Sequence, residues 1–169
     1  MDEEGTSEVR RTADLVLRPV RAEDVESLVA IETDPRTTRN SPTGPPTREQ
    51  AKQLLLSVVA AWDEGGPHYW AVQHERQLVG TAGLRRAKLH ERECWNLYYR
   101  LSPDVWGRGF ATQAAREAVG FAAVMLGELP VVARTRPDNS AAQRVALKVG
   151  LERREDLDSN GFCTFASSW

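Results

Sequence analysis

Apolar and polar residues recur along the chain with two different spacings, and each spacing predicts a type of element. Alternation or a short apolar run predicts a strand, whereas apolar residues three and four apart predict an amphipathic helix. The segments with strand-like patterns are 15–20, 68–73, 77–84, 93–101, 130–135 and 162–166. The segments with helical spacing are 24–31, 47–62, 113–126 and 140–149.

The resulting element order, βααβββαβαβ, predicts an α/β (α+β) fold with a mixed sheet flanked by helices. Asp24, Thr47 and Ser140 stand where side-chain caps of helices are expected, and Thr47 with Gln50 has the spacing of a capping box. We expect one domain over residues 15–169. We expect the acidic, polar segment 1–14 to be a mobile tail.

Two polar segments are expected to border a binding site. Residues 34–46 are rich in Pro, Thr, Asn and Gly, and a loop of this length in a compact domain is often functional. Residues 88–93 form a charged turn between two predicted strands. Their acids Asp34, Glu91 and Glu93 favour a cationic partner.

The charge of the chain and the length of its apolar runs exclude several classes of function. The 169 residues carry a net charge of −2, without the basic stripe of a nucleic-acid-binding protein. No apolar run reaches the roughly 18–20 residues that span a bilayer, and the N-terminus lacks a secretory signal. We therefore expect a cytoplasmic protein that binds neither nucleic acid nor membrane. Cys94 and Cys163 are expected to be reduced, and the three scattered histidines predict no metal site.

The strongest local signal is the sequence WGRGFAT at 106–112, between a predicted strand and a predicted helix. Gly107 and Gly109 permit a tight turn, and the first N–H groups of the helix have no intrahelical acceptor. Such a turn favours a phosphate or pyrophosphate, and Arg108 adds positive charge. The third glycine of a dinucleotide fingerprint and a Walker A lysine are missing. From these residues alone, a plain structural turn remains an alternative.

In its context, this segment resembles the GNAT superfamily of acetyltransferases, in particular the branch that acetylates ribosomal-protein N-termini. The resemblance extends over about residues 15–166. It is carried by LVLRP at 15–19 with Asp24, by YRLSPDVWGRGFAT at 99–112, and by Asn139-Ser140 followed by KVGL at 148–151.

The resemblance implies a GNAT fold, with a mixed, mostly antiparallel central sheet in which two central strands splay apart. It also implies acetyl-CoA as cosubstrate and no metal. Pantetheine is expected in the gap between the strands that end at Leu101 and begin near Val131, and the pyrophosphate on the backbone of 108–112. The implied cofactor-binding residues are Leu101, Trp106, Gly107, Arg108, Gly109, Phe110, Ala111, Thr112 and Asn139.

The chain departs from the family pattern at the catalytic positions. Relatives often carry a glutamate base where Asn96 stands, and an asparagine orients an amine by hydrogen bonding without taking its proton. Ala142 and Ala146 replace a serine and a tyrosine that relatives use. The remaining candidates for catalysis are Asn96, Tyr99 and Ser140, with helix capping as the alternative for Ser140.

The resemblance implies an N-acetyltransferase that moves an acetyl group from acetyl-CoA to a primary amine by direct attack in a ternary complex. By analogy with the branch, a protein or peptide N-terminus is favoured over a small amine. The alternative is an acetyl-CoA-binding sensor with little catalysis, and a further alternative is an interaction module without a small ligand. The last strand, 162–166, is a candidate contact for a homodimer.

Overall fold

The computed structural model describes residues 8–39, 41 and 44–169. The strands are β1 (Arg10–Arg11), β2 (Val16–Pro19), β3 (Tyr69–His74), β4 (Gln77–Leu89), β5 (Arg92–Leu101), β6 (Val131–Thr135), β7 (Glu152–Arg153) and β8 (Cys163–Ala166). They form one sheet in the order β1-β2-β3-β4-β5-β6-β8-β7. Among these described strands only β5 and β6 pair in parallel, so the predicted mixed and mostly antiparallel sheet is confirmed.

Helices cover both faces of this sheet. They are α1 (Val25–Glu32), α2 (Pro35–Thr38), α3 (Arg48–Asp63), α4 (Phe110–Met125) and α5 (Ser140–Lys148). Glu32 of α1 contacts Thr81 on one face of the sheet. On the other face Trp70, only 1% exposed, packs edge-on against Phe121 of α4 with 5.3 Å between ring centroids. In the described chain, no helix combines the length and apolar character needed to cross a membrane.

Two of the predicted helix caps have different outcomes. Thr47 forms the expected capping box, since its side chain accepts from Gln50 N and the Gln50 side chain accepts from Thr47 N. Asp24 makes no side-chain cap for α1. Its carboxylate receives two hydrogen bonds from Arg18, at 2.7 and 2.9 Å, in a buried ion pair. It also accepts from Arg21 N at 2.8 Å, so it caps the short 3-10 turn Ala22–Asp24 before α1 rather than α1 itself.

Contrary to the expected tail, Arg10–Arg11 form β1, a strand of the sheet. β1 pairs with β2, and Arg10 Nε lies 2.6 Å from Glu117 Oε1 on α4. The prediction failed because this strand is held by backbone pairing and an ion pair rather than by apolar side chains. Residues 1–7, the rest of the expected tail, lie outside the described residues.

Gln113 also holds this segment. Its Oε1 accepts a 2.6 Å hydrogen bond from Thr12 Oγ1, and its Nε2 donates to Asp14 Oδ2 at 2.7 Å. Gln113 lies in the first turn of α4, directly after the glycine loop. The N-terminal segment is therefore attached to the helix that begins at that loop.

Both polar segments are shorter as loops than expected. α2 lies inside 34–46 and begins at Pro35; its N-cap is Asp34, whose side chain accepts from Arg36 N. β4 and β5 extend the hairpin until only His90 and Glu91 remain as the turn. Both turn residues have positive φ, 48° and 65°, as tight hairpin turns require. Residues 40, 42 and 43 of the first loop lie outside the described residues.

The last strand is an inner strand of the sheet. β8 pairs with β6 on one side and with β7 on the other. Its backbone is therefore hydrogen-bonded on both sides within the chain, so it is not a free sheet edge, and its contact with a second protomer stays a prediction. Cys163 in this strand and Cys94 in β5 are both free thiols, as expected.

Candidate active site

β5 and β6 separate soon after they begin. They pair only at Trp95–Val131 and Asn96–Val132, and Trp95 N donates to Pro130 O at 2.8 Å. Beyond these pairs the strands diverge toward Leu101 and Thr135, and a cleft of about 930 Å³ opens between them. The predicted splay of the two central strands is confirmed.

The splay leaves backbone groups of β5 facing the cleft. Residues of a strand direct their N–H and C=O groups alternately to one neighbour and to the other. Trp95 N donates toward β6, whereas Ser102 N donates to Val79 O on the β4 side. By this alternation the N–H groups of Leu97 and Tyr99 point into the gap, where β6 no longer pairs with β5. The edge of β5 therefore offers donors and acceptors to an extended ligand.

The N-terminus of α4 lies at the open end of this cleft. Gly107 and Gly109 adopt φ of 78° and 77°, and Gly109 is the N-cap of the 16-residue helix. This left-handed conformation favours glycine over residues with a Cβ. The N–H groups of the first turn have no intrahelical acceptors and carry the positive end of the helix dipole. Gly107, Gly109, Phe110, Ala111 and Thr112 line the cleft and form a turn that is suited to an anion, named the anion-binding turn below.

Leu101 and Trp106 connect this turn to the end of β5. Trp106 Nε1 donates a 3.0 Å hydrogen bond to Leu101 O, while Leu101 itself is only 5% exposed. Both residues line the cleft, and their contacts with a cofactor stay a prediction. Trp106 is 53% exposed, so it is available to a ligand beside the turn.

The Arg108 side chain points away from the cleft. Its Nη2 lies 3.2 Å from His74 Nε2, and its guanidinium carbon lies 4.7 Å from the centroid of the Phe110 ring. The cleft wall includes the glycines on either side of Arg108 but not Arg108 itself. The expected contribution of its charge to a bound pyrophosphate is therefore not supported, although its backbone belongs to the turn.

Asn139, rather than Ser140, is the cap of α5. Asn139 Oδ1 accepts from Ala142 N at 3.1 Å, and α5 begins at the next residue. The expectation that Ser140 caps the helix was therefore wrong. Ser140 is exposed and lies outside the cleft wall, which does not support its candidate role in catalysis. Asn139 lines the cleft, and its contact with the cofactor stays a prediction. Both residue types cap helices well, and the sequence did not show which of the two precedes the first helical residue.

Thr135 places an unpaired polar atom in the cleft. The residue lies at the end of β6 and lines the cleft. Its Oγ1 is buried, and no described residue hydrogen-bonds to it. Buried hydroxyl groups nearly always have a partner, so this one is suited to a bound ligand.

Asn96 lies at the closed end of the cleft, where β5 and β6 part. It is half-buried and lines the cleft. Its Nδ2 donates to Leu97 O at a long 3.4 Å, which leaves the side-chain oxygen as an acceptor. Cross-strand pairing places Arg85 of β4 directly beside Asn96, on the same face of the sheet.

The two adjacent tyrosines differ in environment. Burial raises the pKa of Tyr99 to about 12, so its hydroxyl stays protonated at neutral pH. The Tyr98 hydroxyl donates to Glu32 Oε2 at 2.9 Å. Burial, and then the Glu32 carboxylate, raise the pKa of Tyr98 well above its ordinary value. Tyr98 is therefore attached to the α1 side, and Tyr99 is the tyrosine whose hydroxyl is available on the opposite face.

Glu32 is a residue that the sequence interpretation missed. It is 3% exposed and accepts hydrogen bonds from Thr81 Oγ1 (3.1 Å), Tyr98 and Arg100 Nη1 (3.0 Å). A buried carboxylate requires such partners. Its signal in the sequence was a lone acid on the apolar face of the first helix, four residues after Leu28.

The described wall of the cleft contains arginines and a lysine but no carboxylate. Asp34 and Glu93, which were expected to attract a cationic acceptor, pair with Arg36 at 2.8 Å and with Arg86 at 2.6 Å. Neither these acids nor Glu91 lines the cleft. In the described part of the chain, no three His, Cys, Asp or Glu side chains are grouped to hold a metal ion.

Comparison with known proteins identifies the family. The model of the acetyltransferase (GNAT) domain matches residues 14–152. The uncharacterized N-acetyltransferase YoaA of Bacillus subtilis (strain 168) is 28% identical over 163 residues, which cover 90% of each chain.

Solved structures share the fold. An acetyltransferase from Agrobacterium tumefaciens str. C58 matches with a TM-score of 0.81 at 20% identity, over 95% of this chain and 94% of that one. RimL, a ribosomal L7/L12 α-N-protein acetyltransferase in complex with coenzyme A, matches with a TM-score of 0.72 at 16% identity, over 94% and 97% of the chains. The family uses acetyl-CoA as cosubstrate. The chain belongs to the GNAT acetyltransferase family, as the segment 99–112 predicted.

Proposed function

We propose that the chain transfers the acetyl group of acetyl-CoA to a primary amine by direct attack within a ternary complex. The observation that carries the proposal is one continuous cleft with an anion-binding turn at its open end and a polar acceptor, Asn96, at its closed end. Acetyl-CoA supplies the thioester, and the amine is the second substrate. A cytoplasmic location and a homodimer remain part of this proposal.

The residues of the cleft fit acetyl-CoA. The first N–H groups of α4 are suited to its pyrophosphate because they are unpaired within the helix. The free edge of β5 and the unpaired Oγ1 of Thr135 are suited to the amide groups of pantetheine. Arg136, Arg144 and Lys148 lie on the same side of the cleft as α5 and are suited to further phosphate.

At the closed end, we assign three groups of the chain a part in the reaction. The Leu97 N–H donates to the carbonyl oxygen as it gains negative charge. Asn96 Oδ1 accepts a hydrogen bond from the incoming neutral amine and so orients its lone pair. The Tyr99 hydroxyl donates to the sulfur as the C–S bond breaks and the C–N bond forms.

Asn96 takes no proton in this scheme. The amine binds in its neutral form, and after attack its extra proton leaves to water. Coenzyme A departs as a thiolate, because an ordinary thiol pKa of about 8.5 makes it a good leaving group. Tyr99, with its pKa raised to about 12, stabilises this thiolate by hydrogen bonding without giving up its proton.

The second candidate is a sensor that binds acetyl-CoA with little catalysis. It is favoured by Asn96, Ala142 and Ala146, which replace the residues that relatives use for proton transfer. Both candidate functions use the same binding site for acetyl-CoA, and they differ only in whether the acetyl group is transferred.

Thiol release separates them. The purified protein is incubated with acetyl-CoA and a mixture of amines and N-terminal peptides, and free thiol is followed. The proposal expects amine-dependent release that Asn96→Ala lowers by about tenfold, the effect of one lost orienting hydrogen bond. Negligible release that Asn96→Glu raises is the result expected of the sensor.

A further inference from the structure

The acceptor half of the cleft is positively charged. We define this half as the residues on the α1 face of the sheet and near α2. No carboxylate belongs to it in the described part of the wall. Its members are Arg36, Tyr69, Arg85, Asn96, Tyr98, Arg100 and Arg134.

Arg85 is the exposed cation of this half without a counter-ion. Arg36 pairs with Asp34, and Arg100 pairs with Glu32. Arg85 is exposed and forms no ion pair or hydrogen bond with any described residue. Its neighbour along the strand, Arg86, points to the other face and pairs with Glu93 at 2.6 Å.

Arg134 adds a positive charge that forms no ion pair with a described residue. Its Nη2 donates to Ser159 O and Oγ, which are neutral acceptors, at 2.8 and 2.9 Å. Its Nε is buried and has no partner among the described residues. Two arginines of the acceptor half therefore lack a carboxylate partner, and Arg85 is the more accessible of them.

The phosphates of the cofactor lie too far away to be the partner of the Arg85 guanidinium. Arg85 pairs across the sheet with Asn96, at the closed end of the cleft. The anion-binding turn follows Leu101, five residues farther along β5, which corresponds to about 16 Å at ~3.3 Å per residue. A side chain beside Asn96 therefore faces the second substrate rather than the pyrophosphate.

The groups around Arg85 do not neutralise it. Burial, and then the charge of Arg85, lower the pKa of His68, which keeps this histidine neutral at pH 7. The other aromatic neighbour, Tyr69, is stacked on Tyr98 with 4.6 Å between ring centroids, and its pKa is raised by burial. Arg85 thus stands at the edge of an aromatic, neutral wall with its guanidinium free.

We infer that Arg85 binds an anionic group of the acceptor, so that the acceptor is an amine that also carries a carboxylate. This inference rests on the proposed function. A guanidinium presents two parallel N–H donors that match the two oxygens of a carboxylate. A polyamine, by contrast, brings further positive charge toward arginines and is disfavoured. A free α-amino acid and an acidic peptide N-terminus share the required chemistry.

The test compares matched acceptors that differ only in the carboxylate. Free amino acids are paired with their amides, and peptides with Asp or Glu near the N-terminus are paired with their Asn or Gln counterparts. The intact protein is expected to use the carboxylate forms at least about tenfold better in kcat/KM. A larger preference within the amino acid and amide pairs indicates a free amino acid as acceptor. A larger preference within the peptide pairs indicates an acidic peptide N-terminus.

Two variants assign this preference to one side chain. Arg85→Gln is expected to raise KM for the carboxylate acceptors by about 10- to 100-fold and to leave the neutral acceptors unchanged. Arg86→Gln removes a positive charge from the next residue, on the opposite face, and is expected to keep the preference. Equal use of both forms by the intact protein, or a preference that persists in Arg85→Gln, overturns the inference.

A binding measurement keeps the inference separable from the proposed function. The same acceptors are titrated by calorimetry into protein saturated with coenzyme A, where no turnover occurs. Binding of carboxylate forms that Arg85→Gln weakens supports the subsite even if thiol release is absent and the proposed function fails. Turnover of neutral amines without any preference keeps the proposed function and rejects the subsite, and an absence of both turnover and binding rejects both.

Discussion

The two halves of the cleft are built from different parts of the polypeptide. The cofactor half consists mainly of backbone groups: the first N–H groups of α4, the free edge of β5 and two glycines in a left-handed conformation. The acceptor half consists of side chains from α2, β3, β4, β5 and β6. A backbone site requires particular residues in one contiguous segment, whereas a side-chain site is assembled from distant ones. The backbone site can therefore be recognised in a sequence, whereas the side-chain site cannot.

The acceptor half depends on a buried charge, and its removal is expected to have the largest effect. Glu32→Gln leaves Arg100 without its counter-ion behind the cleft, which costs about 3 kcal/mol of unfolding free energy. Urea denaturation measures this loss. Glu93→Gln is the matched control, because its pair with Arg86 is exposed and contributes under about 1 kcal/mol. Similar losses in the two variants would show that the Glu32 network does not hold the acceptor half together.

The cofactor half is expected to be sensitive at Gly109. Gly109→Val obstructs the anion-binding turn, and we expect the Kd for acetyl-CoA to rise about 100-fold, equivalent to losing one or two charge-assisted hydrogen bonds. Gly127, just beyond the other end of α4, has nearly the same φ (76° against 77°), and a Cβ at either glycine meets no atom within 4 Å.

Gly127→Val is therefore a control for backbone strain. Both variants are expected to lower Tm by a similar amount, and only Gly109→Val is expected to weaken acetyl-CoA binding in calorimetry. Equal Kd values for the two variants would remove the turn from the cofactor site.

A smaller effect is expected at Thr135, where one substitution should raise the free energy of unfolding and lower the affinity for acetyl-CoA. Thr135→Val removes a buried hydroxyl that has no described partner, so the free protein is expected to gain up to about 1 kcal/mol. Acetyl-CoA binding is expected to weaken by about tenfold, since the ligand loses one hydrogen bond.

The control for this change is Thr164→Val. Thr164 Oγ1 is buried but donates to Leu157 O at 3.2 Å, so its removal lowers stability. Thermal unfolding and acetyl-CoA titration are measured for both variants. A loss of stability in Thr135→Val would mean that its hydroxyl already has a partner in the free protein.

The smallest expected effect concerns Tyr99 at the junction of the two halves. Tyr99→Phe is expected to lower kcat about fivefold through one hydrogen bond to the leaving sulfur. Because the pKa of Tyr99 is about 12, its hydroxyl is protonated below that pH and is lost as a donor only above it. The pH profiles of both proteins between about pH 6 and 10 should therefore have the same shape. A rise or fall of kcat in this pH range that disappears in Tyr99→Phe would show that Tyr99 titrates there. That result would contradict its assignment as a donor that stays protonated.

The sequence predicted the elements that rely on local periodicity or local turn chemistry. The capping box at Thr47 and the glycine loop before α4 are of this kind, since the residues that form each feature lie within a few positions of one another. The splay of β5 and β6 was accessible only through the family resemblance. Neither strand carries a pattern that marks where its pairing ends.

The features that the sequence did not predict depend on distant partners. β1 is polar and is held by Glu117, more than 100 residues away. Arg108 carries a charge beside a phosphate loop, yet His74 and Phe110 hold its side chain elsewhere. Arg85 is one of many dispersed arginines, and only the register of β4 with β5 places it beside Asn96. Composition records such charges but not the faces on which they lie.

The central claim is that the cleft between β5 and β6 is an acetyl-CoA site, and calorimetric titration of the intact protein with acetyl-CoA and with coenzyme A tests it most directly. The account predicts saturable binding of both ligands at one site per chain, with the affinity for each lost in Gly109→Val and retained in Gly127→Val. An absence of binding, or binding that Gly109→Val leaves unchanged, would contradict it.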